Sequence, residues 1–175
     1  MLMRLTDLNA LDEDTAVREL LRCCGSSRWA RTMAASRPFS SVAAIDLAAD
    51  EVWQRLEASD ILDAFAAHPR IGAGAAGGTG SDGAPQWSSQ EQAGARTASG
   101  DVSERLAAGN RAYEARFGYI FIICATGKSA GEMLAALEQR LTHTPDEELP
   151  IAAEEQRLIT RLRLTKLVDD EQNRQ

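Results

Sequence analysis

Apolar residues recur at helical spacing along most of the chain. Ala16, Val17, Leu20, Leu21 and Cys24 fall at i, i+1, i+4, i+5 and i+8 behind Asp12. Such an aspartate can accept from the open N–H groups of a first turn, so a helix is predicted from there to a stop at Gly25. A short helix carrying Trp29 and Met33 follows and ends at Arg37-Pro38, because proline disfavours the helical conformation of the residue before it. Ala49, Val52, Trp53 and Leu56 mark the next stripe. Ile61, Leu62 and Phe65 mark another, from a cap at Asp60 to the break before Pro69. Beyond residue 87 the pattern resumes behind Ser88-Ser89-Gln90-Glu91, a capping box. Val102, Leu106, Gly109, Tyr113 and Phe117 continue it to Gly118, a C′ glycine. A second box, Ser129-Ala130-Gly131-Glu132, opens a helix with Met133, Leu134, Leu137 and Leu141. The last helix is predicted from about Pro150 to Val168, with Ile151, Leu158, Ile159, Leu162 and Leu167.

Two stretches break this rhythm. Gly72–Pro85 holds six glycines and no large apolar residue, which predicts a flexible loop that could act as a lid. Tyr119–Ala125 (YIFIICA) reads as extended chain, yet no second run could pair with it. The fold class expected is therefore all-α: a helical bundle with one buried extended segment and a glycine-rich loop. Trp29, Trp53, Leu62, Phe65, Leu134, Leu137 and Leu162 are its expected core.

A length of 175 residues favours one domain over 1–175, with 72–85 as the loop and 169–175 as a frayed tail. With 44% hydrophobic and 26% charged residues the chain can bury a core, which excludes general disorder. No apolar run approaches membrane-spanning length, so no membrane partner is expected. The net charge of −7 comes without a basic stripe, which argues against nucleic acid. Neither an apolar leader at the N-terminus nor a peroxisomal tripeptide at the C-terminus is visible. Three cysteines, two of them adjacent, make no disulfide framework; a reducing cytoplasm is expected. No Cys/His set has zinc spacing, so no metal is expected.

Several motifs reduce to ordinary structure. Gly72-Ala73-Gly74-Ala75-Ala76-Gly77 has dinucleotide-loop spacing but follows a helix rather than a strand. Gly127-Lys128-Ser129 ends like a P-loop, but Ile122 stands where the first glycine is required. On a helix, Cys23 and Cys24 would point about 100° apart, one inward and one partly outward. His143 should be solvated near a helix C-terminus.

The candidate chemistry that remains lies at three places. His68 sits on a helix-to-loop corner fixed by Pro69, where a scaffold can hold a catalytic imidazole. Ser88 and Glu91 open a helix, and that end also suits an anion. Arg163 is flanked one turn away on each side by Ile159 and Leu167, so it faces inward, whereas Arg161 lies between Arg157 and Thr165 on a polar face. A buried arginine needs an anionic partner, either a core carboxylate or a ligand.

These residues stand within longer motifs: Cys23-Cys24-Gly25-Ser26-Ser27-Arg28-Trp29, Arg37-Pro38-Phe39, His68-Pro69-Arg70-Ile71-Gly72, Trp87-Ser88-Ser89-Gln90-Glu91-Gln92, Phe117-Gly118-Tyr119 running on to Ser129, and Leu162-Arg163-Leu164. In that order the chain, from about Leu8 to Val168, resembles the 2-oxo-4-hydroxy-4-carboxy-5-ureidoimidazoline (OHCU) decarboxylase family of urate breakdown. The resemblance implies an all-α homodimer without cofactor, which turns an unstable purine-catabolism intermediate into (S)-allantoin and carbon dioxide. It implies His68 as the catalytic histidine with Glu91 as its partner. It gives Pro69, Ser88, Gln92 and Arg163 to substrate binding, together with the backbone of Ile120, Phe121, Ile122, Ile123, Cys124 and Ala125. No fused transthyretin-like hydrolase domain is visible, so one activity is expected. The reaction requires His68, Ser88, Glu91 and Arg163 to converge. The alternative is a non-catalytic α-helical ligand-binding or interaction module. Thermal stabilisation by allantoin or a urate-like purine separates the two.

Overall fold

The structure, a computed structural model, describes residues 3–71, 87, 90–91, 93–97 and 99–169. Two compact units divide the chain, one from residues 1–64 and 157–175, the other from 65–156. The helical class is as expected: eight α-helices are found among the described residues, and the pairing there is limited to two residues on each of two strands. The glycine-rich loop at 72–85 and residues 170–175 lie outside the described residues.

The first unit begins with β1 (Met3–Arg4) and α1 (Leu5–Ala10), and α2 (Glu13–Leu21) follows. Asp12 caps α2 as predicted, accepting from the Thr15 N–H at 2.9 Å. The helix ends at Leu21, however, before the cysteines. Cys23 and Cys24 therefore do not share a helical face, and both are fully buried rather than one in and one out. Burial pushes both thiols up, Cys24 to about 11, which holds them protonated. α3 (Ser27–Ala35) and α4 (Val42–Gln54) start on Ser26 and Ser41, each accepting from the N–H three residues on. Arg37 donates to the carbonyls of Leu8 and Leu11, covering groups that the end of α1 leaves open. Leu8, Leu20, Trp29, Met33 and Ile45 are buried, and the Trp29 indole donates to the Ala49 carbonyl at 3.2 Å. Asp50 receives both Arg157 and Arg161, at 3.0 and 3.1 Å. β2 (Val168–Asp169) runs parallel to β1, so Asp169 is paired where the tail was expected to fray.

α5 (Ala58–Ala66) starts three residues earlier than a cap at Asp60 would place it, with Asp60 in its first turn accepting from the Glu57 N–H. Leu62 is 39% exposed and not core. The buried direction of α5 lies between Ala64 and Phe65. Ile61, one turn earlier, lies along it, and Leu62 falls about 100° away. Leu162 is only half-buried, while Trp29, Trp53, Phe65, Leu134 and Leu137 are core as expected.

The second unit holds the end of α5, a 3-10 turn at Ala93–Thr97, α6 (Gly100–Phe117), the segment 119–125 and α7 (Ala130–Arg140). Gly118 takes φ +80° at the end of α6, a conformation that glycine alone enters cheaply. The Ser129–Glu132 capping box is complete. Segment 119–125 forms neither helix nor paired strand, with a bend at Tyr119, and Phe121, Ile122, Ile123 and Ala125 are buried. Around it pack Leu106, Tyr113, Met133 and Leu137. α8 (Pro145–Leu167) starts at Pro145, not Pro150, and runs through both units. Thr144 and Glu147 form an N-terminal box, with Glu147 accepting from the Thr144 N–H at 2.8 Å. Pro145 is the proline at N1, and Pro150 lies within the helix.

Candidate active site

His68 lies two residues beyond α5, its N–H bonded to the Phe65 carbonyl at 3.0 Å, and it is half-buried. The chain after it is tied to α6 twice. Arg70 forks onto Glu114, at 2.5 and 2.8 Å, and the Ile71 carbonyl accepts from Asn110 at 3.1 Å. The Arg70 guanidinium holds the Glu114 carboxyl below its ordinary range. This tie is complete at and above the ordinary carboxylate range and is released as pH falls through the lowered value. The corner at His68-Pro69 is thus fixed by residues that periodicity did not single out: Arg70, Asn110 and Glu114. On the other side, the Phe65 ring lies 5.3 Å from that of Tyr119, so the end of α5 packs on the start of the extended segment.

Glu91 is 8% exposed and helical with Gln90, just before the 3-10 turn. Its carboxylate is one of the charges that bear on the Cys124 thiol. Burial pushes the Cys124 thiol up; Lys128 opposes this, and the Glu155 and Glu91 carboxylates add to it. Gly94 sets the approach. A Cβ there would lie 2.0 Å from the Lys128 carbonyl oxygen. Gly94→Ala is therefore expected to cost about 1–3 kcal/mol by overpacking, read as a lowered midpoint in urea, and to displace Glu91 as well.

The extended segment is held by side chains. Arg140 donates to the Ile122 carbonyl at 2.7 Å, and Cys124 bonds through both main-chain groups, its N–H to Glu155 at 2.7 Å and its carbonyl to Lys128 at 2.8 Å. Lys128 is thereby a local clamp, and Ser129 a helix cap, rather than parts of a phosphate loop. Behind Arg140 stands a buried network. Glu148, 0% exposed, accepts from Arg140 Nε at 2.6 Å, from the Tyr113 hydroxyl at 2.5 Å and bonds His143 Nδ1 at 2.8 Å. Burial, reinforced by the bond to the Glu148 carboxylate, pushes the Tyr113 phenol far up, so it stays a donor. The Arg140 guanidinium also lies over the Phe121 ring, 4.7 Å from its centroid. His143 is accordingly half-buried and bonded, not solvated as its position suggested.

Arg163 is 3% exposed, facing inward as its flanking residues predict, and its charge acts on Cys23 and Cys24. Arg161 keeps 42% of its side chain exposed and pairs with Asp50. Within the second unit the structure places His68 just beyond a helix whose Phe65 packs on Tyr119, and Glu91 just before the 3-10 turn, while Arg163 belongs to the other unit. Ser88 and Gln92 lie outside the described residues. No cluster of potential metal ligands occurs among the described residues, and no helix there is long and apolar enough to cross a membrane.

The sequence profile described as OHCU decarboxylase matches residues 9–165, through both units. The chain belongs to the OHCU decarboxylase family. Among OHCU decarboxylase relatives, the uric acid degradation bifunctional protein of Arabidopsis thaliana is 43% identical over 148 residues, which is 85% of this chain and 46% of that protein. The chain thus spans about half the length of that relative. The 2-oxo-4-hydroxy-4-carboxy-5-ureidoimidazoline decarboxylase of Haloferax volcanii is 28% identical over 97% of this chain and 98% of its own. A crystal structure of an OHCU decarboxylase in the presence of (S)-allantoin superposes with a TM-score of 0.73 at 39% identity, covering 85% of this chain and 96% of that one.

Proposed function

We propose that this chain decarboxylates 2-oxo-4-hydroxy-4-carboxy-5-ureidoimidazoline to (S)-allantoin and carbon dioxide. What carries this reading is the family match over 9–165, which takes in His68, Glu91, Arg163 and the extended segment together. The chemistry suits these residues. The departing carboxylate sits on a carbon that bears a hydroxyl and adjoins a C=N bond. When the C–C bond breaks, its electron pair moves into that C=N, so the substrate is its own electron sink and the chain needs to supply only orientation and protons. His68, tuned by Glu91, handles the hydroxyl proton and the proton that completes the product. The forked guanidinium of Arg163 binds the carboxylate or ring oxygens. Pro69, Ser88, Gln92 and the backbone of 120–125 complete the substrate contacts. The active form is a homodimer in the cytoplasm, acting on a small purine-derived molecule.

The test generates the intermediate from urate in situ and follows the chirality of the allantoin formed. The expected result is a single enantiomer, produced faster than the spontaneous reaction. Racemic allantoin at the spontaneous rate would sink the assignment. Arg163→Lys separates binding from folding: KM is expected to rise at least about tenfold, because an ammonium cannot make the two-point contact. Arg161→Lys is the control. Its exposed pair with Asp50 contributes at most about 1 kcal/mol, and KM should not move.

A further inference from the structure

Three consecutive peptide planes of the extended segment are pinned by side chains. Arg140 takes the Ile122 carbonyl, Glu155 the Cys124 N–H and Lys128 the Cys124 carbonyl, at 2.7, 2.7 and 2.8 Å. The last two contacts matter together. A trans peptide is planar, with its C=O and N–H pointing in opposite directions. The Cys124 N–H shares its plane with the Ile123 carbonyl, and the Cys124 carbonyl shares its plane with the Ala125 N–H. Fixing both groups of Cys124 fixes both soft torsions at that residue. It aims the Ile123 carbonyl away from Glu155 and the Ala125 N–H away from Lys128. A carboxylate on α8 and an ammonium in the turn before α7 are a costly way merely to satisfy two main-chain groups, since both charges are half-buried.

We infer that Glu155 and Lys128 are positioning residues of the decarboxylase site, setting the backbone at Cys124 so that the Ile123 carbonyl and the Ala125 N–H present an acceptor and a donor to the ureido group of the substrate. The inference rests on the decarboxylase reading above. A ureido group offers N–H donors and a carbonyl acceptor, the complement of such a pair. Glu155 and Lys128 touch no substrate themselves. Their effect falls on how tightly and in which orientation the substrate binds, and so on which face of the product carbon is protonated.

The experiment uses the full chain with intermediate made from urate in situ, and reads kcat, KM and the enantiomeric excess of allantoin alongside the thermal midpoint. Glu155→Ala is expected to raise KM about tenfold, the loss of one hydrogen bond to a charged partner, and to lower the enantiomeric excess. Glu155→Gln keeps an acceptor oxygen and should return KM to within about threefold of wild type. Lys128→Met repeats the test from the carbonyl side and decides it should Glu155→Ala fail to fold. A merely structural role predicts fewer active molecules, hence lower kcat at unchanged KM and enantiomeric excess, and that result overturns the inference. So does Glu155→Gln behaving like Glu155→Ala at wild-type stability, since the hydrogen bond would then not be the agent. A wild-type chain without activity overturns the decarboxylase reading itself. An active wild type with an unaltered Glu155→Ala overturns only the inference.

Discussion

His68→Asn is expected to lower kcat by about 10²–10⁴-fold, the usual range for a positioned general acid–base group, with a thermal midpoint close to wild type. Asparagine keeps a planar polar side chain but has no titratable proton near neutrality. The corner itself does not depend on the imidazole. It is set by the main-chain bond from His68 to Phe65, by Pro69, by the Arg70–Glu114 fork and by the Asn110 bond to Ile71. The stability change should therefore stay within about 1 kcal/mol. Stopped-flow decay of the intermediate gives the rate, and chiral chromatography gives the product. An undiminished rate with one enantiomer would remove His68 from the chemistry. A fast variant that gives racemic allantoin would leave His68 as the stereochemical proton donor and transfer the bond-breaking step to orientation by Arg163 and the backbone.

Glu148→Ala is expected to cost about 3–5 kcal/mol, the range for stripping one partner from a buried ion pair. The substitution leaves the Arg140 guanidinium buried without its carboxylate and takes an acceptor from Tyr113 and His143. Against a typical total of about 5–15 kcal/mol, this is a large fraction of the stability. Urea unfolding followed by tryptophan fluorescence and by circular dichroism measures it. The double change Arg140→Met with Glu148→Leu should cost less than Glu148→Ala, because no charge is left behind. If Glu148→Ala costs under about 1 kcal/mol, the network is not what holds this region.

The local signals in the sequence were legible wherever a short-range rule decides. Asp12, the Ser129–Glu132 box, Gly118 and the inward turn of Arg163 could each be read from neighbours within about one helical turn, and the structure agrees. So could the lack of a partner strand for 119–125 among the described residues. Other features were set by long-range packing. Glu148 sits in the acidic first turn of α8, where an exposed acid favoured by the helix dipole is the natural expectation, yet Tyr113 and Arg140, distant in sequence, enclose it. The same enclosure takes His143, expected in solvent, into a bond with Glu148. The helix expected from about Pro150 begins at Pro145, where the Thr144–Glu147 box caps it. At the candidate site, resemblance supplied the roles of His68 and Glu91, whereas the supports on which their placement depends, Arg70, Asn110, Glu114 and Glu155, carry no short-range pattern.

The paired thiols of Cys23 and Cys24 give the chain an internal clock. Both are sealed from solvent and held protonated, so an alkylating or disulfide-exchanging reagent meets a reactive thiolate only after the protein around them has opened. Their rate of modification in native buffer therefore counts openings of the unit built from residues 1–64 and 157–175. Cys124, half-buried in the other unit, is not sealed in this way and carries no such count. Mass spectrometry of the peptide that carries both over hours would give the opening free energy of that unit under conditions where the protein is fully folded, without denaturant and without any label engineered into it.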